Sequence, residues 1–389
     1  MPDRGDDTDD GGMPTSTLDH LADATPQTRT RSVDLLRVIS IAVVVLWHCT
    51  MSVVHWRDGR ITMPNPIESV DGLWLATWIL QVMPVFFIVG GFANAAAFRA
   101  ATRAGVGHGP FLRRRAQRLV APLAPMIGFW LLADAALIGS GATDRSVWQW
   151  GDVVFVPLWF IGAYLIVTAS TPWARRAEDR WGWGAVLALG AAIAAVDAIR
   201  FVAGVSSAGL LNSILVFVFA AQLGHRWQAG ATRHHRGVTA LTALVVGLVG
   251  LAVLTTSAGY PPSMVATDGA AFSNMFPTTA AIAALALLQF GLIAACEPAL
   301  ERLAHRPRVW RATIAANAMA MTVFTWHMTA LVGAITVWTA TGHGLEVEAT
   351  ATWWRQRPVF IALPAVMLVP FLATFGTREM RTLTGPSRR

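Results

Sequence analysis

Apolar runs of about twenty residues recur from residue 34 to residue 376 of this chain, separated by short polar connections. A helix of that length crosses the ~30 Å of hydrocarbon in a bilayer, so the pattern predicts an all-α, polytopic transmembrane helical bundle. The composition agrees: 54% of residues are apolar and 14% charged, with 17 Trp and a mean hydropathy of +0.49. A soluble domain carries roughly 25% charged residues. Disordered, fibrous and disulfide-scaffold classes are excluded.

Ten spans are expected, at about 34 to 54, 73 to 98, 117 to 139, 153 to 172, 182 to 203, 208 to 224, 238 to 257, 278 to 296, 313 to 339 and 358 to 376. An even number places both termini on one side. Arg in alternate connections assigns that side, with 20 in one set (99 to 118, 173 to 181, 225 to 237, 297 to 312, 377 to 389) and 6 in the other. Positively charged short loops stay in the cytoplasm, so both termini are expected there. Residues 1–30 hold seven Asp with Gly, Thr and Pro and read as a disordered acidic cytoplasmic tail. Residues 31–377 form the ten-helix membrane domain, and 378–389 a short basic cytoplasmic tail. No signal-peptide pattern precedes the first run. Neither a repeat relating the two halves nor matched broken helices of the transporter kind is visible, and no soluble catalytic domain is expected after the last span. Chemistry is therefore expected among the helices.

The net charge of +7 comes from 30 basic residues, all Arg, against 23 acidic ones. Their place in short loops explains them as orientation signals, and no nucleic-acid partner is expected. Cys49 and Cys296 belong to no CxxC pair. No metal site is expected, and a solvated loop is the reading for His234 and His235.

The most informative stretch is Asp34-Leu-Leu-Arg37, followed by ten residues and His48. An imidazole within a span is costly, which makes it a functional candidate. Eleven residues are about three helical turns and ~16 Å, so Arg37 and His48 share one face. Arg37 is placed near the cytoplasmic interface and His48 roughly half-way through the membrane. Further along stand Phe86-Phe-Ile-Val-Gly-Gly-Phe92, Arg115-Ala-Gln-Arg118, Leu158-Trp-Phe-Ile161 and Phe324-Thr-Trp-His327. In this order and spacing, from about 34 to 330, the chain resembles the acyltransferase-3 family of integral membrane acyltransferases, as a stand-alone membrane module. Gly90 departs from the family's usual Ser, and Tyr164 from a Glu found in some members, so roles tied to those side chains do not carry over.

The resemblance implies an O-acyltransferase that moves an acyl group, expected to be acetyl, from cytoplasmic acyl-CoA to a hydroxyl of a cell-surface or exported glycan. Acyl-CoA is then a co-substrate and no cofactor is bound; the other partners are an extracytoplasmic glycan or other hydroxyl acceptor and membrane lipid. Heavy Ala and Arg use without Lys fits GC-rich coding, so the expected location is a bacterial cytoplasmic membrane. The competing reading of the same residues is a proton-coupled transporter or exporter of an anionic or glycan-type solute.

His48 is the expected catalytic base or nucleophile. His327, 14 residues beyond Thr313 as His48 is 14 beyond Asp34, is expected at the same depth as a second catalytic imidazole. Arg37, Arg115 and Arg118 are expected to hold the phosphates of acyl-CoA, and Asp34 to orient Arg37. Asp197 and Arg200 are expected to pair with each other. The connections 55 to 72 and 258 to 277 are where the acceptor is expected to enter.

Overall fold

The computed structural model describes residues 22–26, 29–52, 55–57, 60–62, 65–141, 153–155, 157–267, 269–346, 348–376 and 379. Most of the two expected tails, 1–21 and 380–389, the greater part of the 140 to 152 connection and Asp268 lie outside the described residues. The long helices are α1 (Arg31–Met51), α2 (Trp74–Leu80), α3 (Met83–Arg103), α4 (His108–Val120), α5 (Leu123–Gly139), α6 (Leu158–Trp181), α7 (Trp183–Phe201), α8 (Gly209–Gln228), α9 (Arg236–Thr256), α10 (Ala280–Ala304), α11 (Pro307–Ala318), α12 (Ala320–Ala340) and α13 (Ala351–Phe371). Two three-residue strands, β1 (His55–Arg57) and β2 (Arg60–Thr62), form an antiparallel hairpin after α1.

Among the described residues, nine helical stretches are long and apolar enough to cross a membrane, with α2–α3 and α4–α5 each counted as one. The remaining expected span, 153 to 172, is α6, which starts later, at Leu158, and continues to Trp181. It has ample length at 24 residues, but its inward Tyr164, Thr168 and Thr171 and its charged last turns make it less apolar than its neighbours. On the outside of the bundle Leu132, Leu187, Leu241 and Val366 are all more than half exposed, the surface of a protein solvated by lipid.

Small residues set the tightest crossings. A Cβ on Gly91 of α3 would lie 2.1 Å from the Ala221 carbonyl oxygen of α8, and one on Gly224 would lie 2.0 Å from that of Ile88. Gly247 and Gly291 make the same kind of contact between α9 and α10. Without a hydrophobic drive between helices in lipid, such backbone approach is a main source of packing energy. Around these crossings lies the larger core, drawn from α1, α3 and α6 to α10, with Phe324 of α12. A second core joins α5, α12 and α13 through Met126, Trp130, Trp326 and Phe360.

α1 touches α3 and α10 on one side and α11, α12 and α13 on the other. Its first turn is capped from 270 residues away: the backbone N–H groups of Arg31 and Ser32 donate to the Glu301 carboxylate at 3.1 and 2.8 Å. Its last turn is capped by Arg357, whose Nη1 donates to the carbonyls of Thr50 and Ser52 at 3.4 and 3.5 Å. The α1 axis is thus fixed at both ends by groups from elsewhere in the chain.

Candidate active site

His48 lies on the last turn of α1, three residues from its end, further toward the Met51 end than the half-way position expected. His327 lies eight residues into α12 and is only 2% exposed. The single span expected at 313 to 339 is two helices, broken at Met319. The two rings nevertheless meet. His48 Nδ1 lies 3.0 Å from His327 Nε2, with ring planes 9° apart and centroids at 5.2 Å.

The protons in this pair follow from a third group. His327 Nδ1 lies 2.7 Å from the carbonyl oxygen of Phe324, which can only accept. In the neutral pair, His327 therefore carries its proton on Nδ1, and its Nε2 lone pair accepts from His48 Nδ1–H. His48 Nε2 is left as a lone pair with no proton. That atom can take a proton or attack a carbonyl carbon. The pair sits at a seam: Phe324 packs in the larger core, while Trp326 and Met328 pack in the smaller one.

At the opposite end of α1, Asp34 is 6% exposed and accepts from Arg29 at 2.7 and 3.1 Å. Arg37 Nη1 reaches it only at 3.4 Å, so Asp34 grips Arg29 more firmly than Arg37. Asn317 of α11 holds the backbone here, donating to the Asp34 carbonyl. Arg115 of α4 feels the charges of both Arg37 and Arg118 and the phenol of Tyr164, while Arg118 itself is exposed. The three arginines expected to act together thus lie close enough for Arg37 and Arg118 both to act on Arg115.

Gly90 and Tyr164, the two departures noted in the sequence, face each other. A Cβ on Gly90 would lie 2.6 Å from Tyr164 Cε2. The ring cannot yield easily because Phe86, Phe87 and Phe160 crowd it at 5.7 to 6.0 Å between centroids. The missing Cβ is the space the tyrosine fills. Gly90→Ala is expected to lower the detergent-solubilised melting midpoint, at a cost of about 1–3 kcal/mol from overpacking. In Tyr164→Leu the same change should cost much less, a coupling visible in a double-mutant cycle. Equal penalties in both backgrounds would show that the two positions are independent.

A family model described as an acyltransferase domain matches residues 30–375, nearly the whole chain and the whole of this arrangement. The chain belongs to the acyltransferase-3 family. No curated protein and no solved structure matches it. It is a multi-pass membrane acyltransferase, which sets aside the transporter reading.

Two features of this acyltransferase escape a reading of the sequence. Arg357 falls just before the span expected at 358 to 376, in the last outer connection. Instead α13 begins at Ala351, with Thr350 accepting from Trp353 N–H, and Pro358, Pro364 and Pro370 all lie inside it. Arg357 is 7% exposed, its guanidinium 3.9 Å from the Trp353 ring centre and 4.5 Å from that of Phe360, bonded to the end of the His48 helix. Second, the expected pairing of Asp197 with Arg200 is not made. Asp197 is 3% exposed and accepts from Asn212, Tyr260 and the Ala280 N–H at 2.7 to 2.9 Å. Arg200 donates to the Pro277 carbonyl and stacks on Phe201 and Phe272. Asp197 is thus the anchor that ties the 258 to 277 connection to α7, α8 and α10. Burial and the adjacent carboxylate push the Tyr260 phenol up, so it stays protonated and donates.

Proposed function

We propose that this acyltransferase takes an acyl group, acetyl in the simplest case, from cytoplasmic acyl-CoA and delivers it to a hydroxyl of a cell-surface or exported glycan. The arginine-rich end then faces the cytoplasm of a bacterial cell, as the asymmetry of Arg between connections supports. Arg37, Arg115 and Arg118 would hold the phosphates of the donor through charge-assisted hydrogen bonds. From there the pantetheine arm would run along α1, bringing the thioester to His48.

The observation that carries this reading is the imidazole pair, since it leaves His48 Nε2 as the one ring nitrogen free to act. In the base route Nε2 takes the proton of the acceptor hydroxyl. The oxygen bonds to the thioester carbon, the C–S bond breaks, and the thiolate recovers the proton as free coenzyme A. In the nucleophilic route Nε2 bonds to the same carbon, the C–S bond breaks and the thiolate leaves, while the His48 Nδ1 proton passes to His327 Nε2. The acceptor oxygen then bonds to the acyl carbon and the N–C bond breaks; His327 returns its proton to His48 Nδ1, and the hydroxyl proton goes to the thiolate as free coenzyme A.

At the other end, residues of both connections expected to admit the acceptor line a cavity of about 510 Å³, among them Glu68, Asp71, Tyr260 and Phe272, with Trp74 of α2 beside them. Aromatic faces and carboxylates are the groups that bind sugar rings and their hydroxyls. The test of the donor half is kinetic. With purified protein and release of free thiol as the readout, Arg115→Ala and Arg118→Ala should each raise the KM for acyl-CoA about tenfold with little change in kcat, the loss of one charged hydrogen bond. An unchanged donor KM in both variants would overturn it.

A further inference from the structure

Four buried nitrogens gather at the arginine-rich end without a partner among the described residues: Arg99 Nε on α3, His108 Nε2 on α4, Arg175 Nη1 on α6 and His225 Nδ1 on α8. None belongs to the machinery above. His225 is 1% exposed, and the charges of Arg175 and Arg99 both act on it, so the three groups converge from three helices. Arg103 adds its charge to Arg99.

The neighbouring acceptors are already engaged. Gln228 Oε1 takes Arg99 Nη2 at 2.6 Å, and the exposed Asp179 takes Arg175 Nη2 at 2.9 and 3.1 Å. What is left over is three guanidinium charges against one carboxylate, with N–H groups turned inward. Buried donors are almost always satisfied in native proteins, and those left over call for an explanation. An anion with several acceptor oxygens answers all of them at once, and phosphate is the one arginine recognises best. The surroundings suit a lipid boundary: His108 meets the edge of Trp173 at 5.8 Å, and Trp173 and Trp181 are 60% and 59% exposed, as indoles at a membrane–water interface are.

We propose that Arg99, Arg175 and His225, with His108 beside them, form a phosphate-binding site distinct from the donor arginines. Arg175 lies eleven residues beyond Tyr164 along α6, ~16 Å of helix, and His108 seven residues before Arg115 along α4, ~10 Å. The ligand is a phosphate ester, either a lipid headgroup or a small soluble ester, and the site does not depend on the donor assignment made above.

Full-length protein in a neutral detergent is titrated with a short-chain phosphatidylglycerol, with the matching diacylglycerol lacking phosphate, and with glycerol 3-phosphate, following the melting midpoint. The phosphatidylglycerol or the glycerol phosphate should raise the midpoint, and diacylglycerol should not. Arg175→Gln and Arg99→Gln should each weaken the effective ligand at least ~tenfold, whereas Arg115→Ala should leave it unchanged. Stabilisation by the lipid alone assigns a headgroup, and by glycerol phosphate alone a soluble ester; either supports the site. No stabilisation by either, or stabilisation that survives both Gln variants, overturns it. Loss in Arg115→Ala as well would merge it with the donor site and also overturn it. His225→Gln serves where an Arg variant fails to fold.

Discussion

His48→Ala is expected to lower kcat for acyl transfer by about 10²–10⁴, the range a positioned base or nucleophile contributes. Its Nε2 is the only nitrogen of the pair with neither a proton nor a partner, so no neighbour can take over the role. Folding should survive the change. The substitution removes one hydrogen bond, worth about 0.5–1.5 kcal/mol net, while Glu301 and Arg357 still hold the two ends of α1. The donor KM should also hold, because the donor phosphates are assigned to Arg37, Arg115 and Arg118 rather than to the imidazole pair. The measurement is thiol release at saturating acyl-CoA and acceptor, with the melting midpoint as control. A folded His48→Ala protein that turns over at the wild-type rate would remove the chemical centre from this account.

Much of this centre was legible because it is written in helical spacing. Arg37 and His48 lie three turns apart on one uninterrupted helix, so a count along the sequence places them on one face. His327 was found by a count that assumed one straight span from Thr313. The helix is in fact broken at Met319, and the rings meet because Asn317 docks α11 against Asp34 and α12 rises from there. The groups that hold the site were not legible. Glu301 caps α1 from 270 residues away, and Glu379 caps α12 by accepting from Met321 N–H and from the N–H and hydroxyl of Thr322. A carboxylate that caps a distant helix looks, in sequence, like any loop carboxylate. Arg357 was not legible because the apolar run starts only after it, whereas the helix begins at Ala351 and carries Pro358 within it, as membrane helices tolerate. Asp197 was assigned to Arg200 because three residues apart is favourable on a helix, yet burial turned it toward Asn212 and Tyr260.

His327→Phe is expected to reduce kcat roughly 10- to 100-fold, less than the loss of His48. In either chemical route His48 gains positive character when Nε2 bonds to a proton or to the acyl carbon, and its Nδ1–H then needs an acceptor. His327 Nε2 supplies one only because Phe324 fixes its other nitrogen as the donor. Phenylalanine keeps a ring in a site that is 2% exposed but leaves the proton of His48 facing carbon. Glutamine restores an acceptor oxygen and a donor on one side chain, so His327→Gln should recover part of the rate, at least several-fold over His327→Phe. Neither variant should change the donor KM much, because the phosphates are proposed to be held by Arg37, Arg115 and Arg118. That pattern separates a group that positions charge from one that merely fills space. If His327 were only an interhelical contact, Phe and Gln would reduce thermal stability while leaving kcat alone. Equal activity in the Phe variant and the wild type, with both folded, would reduce the pair to packing and leave His48 to act without it.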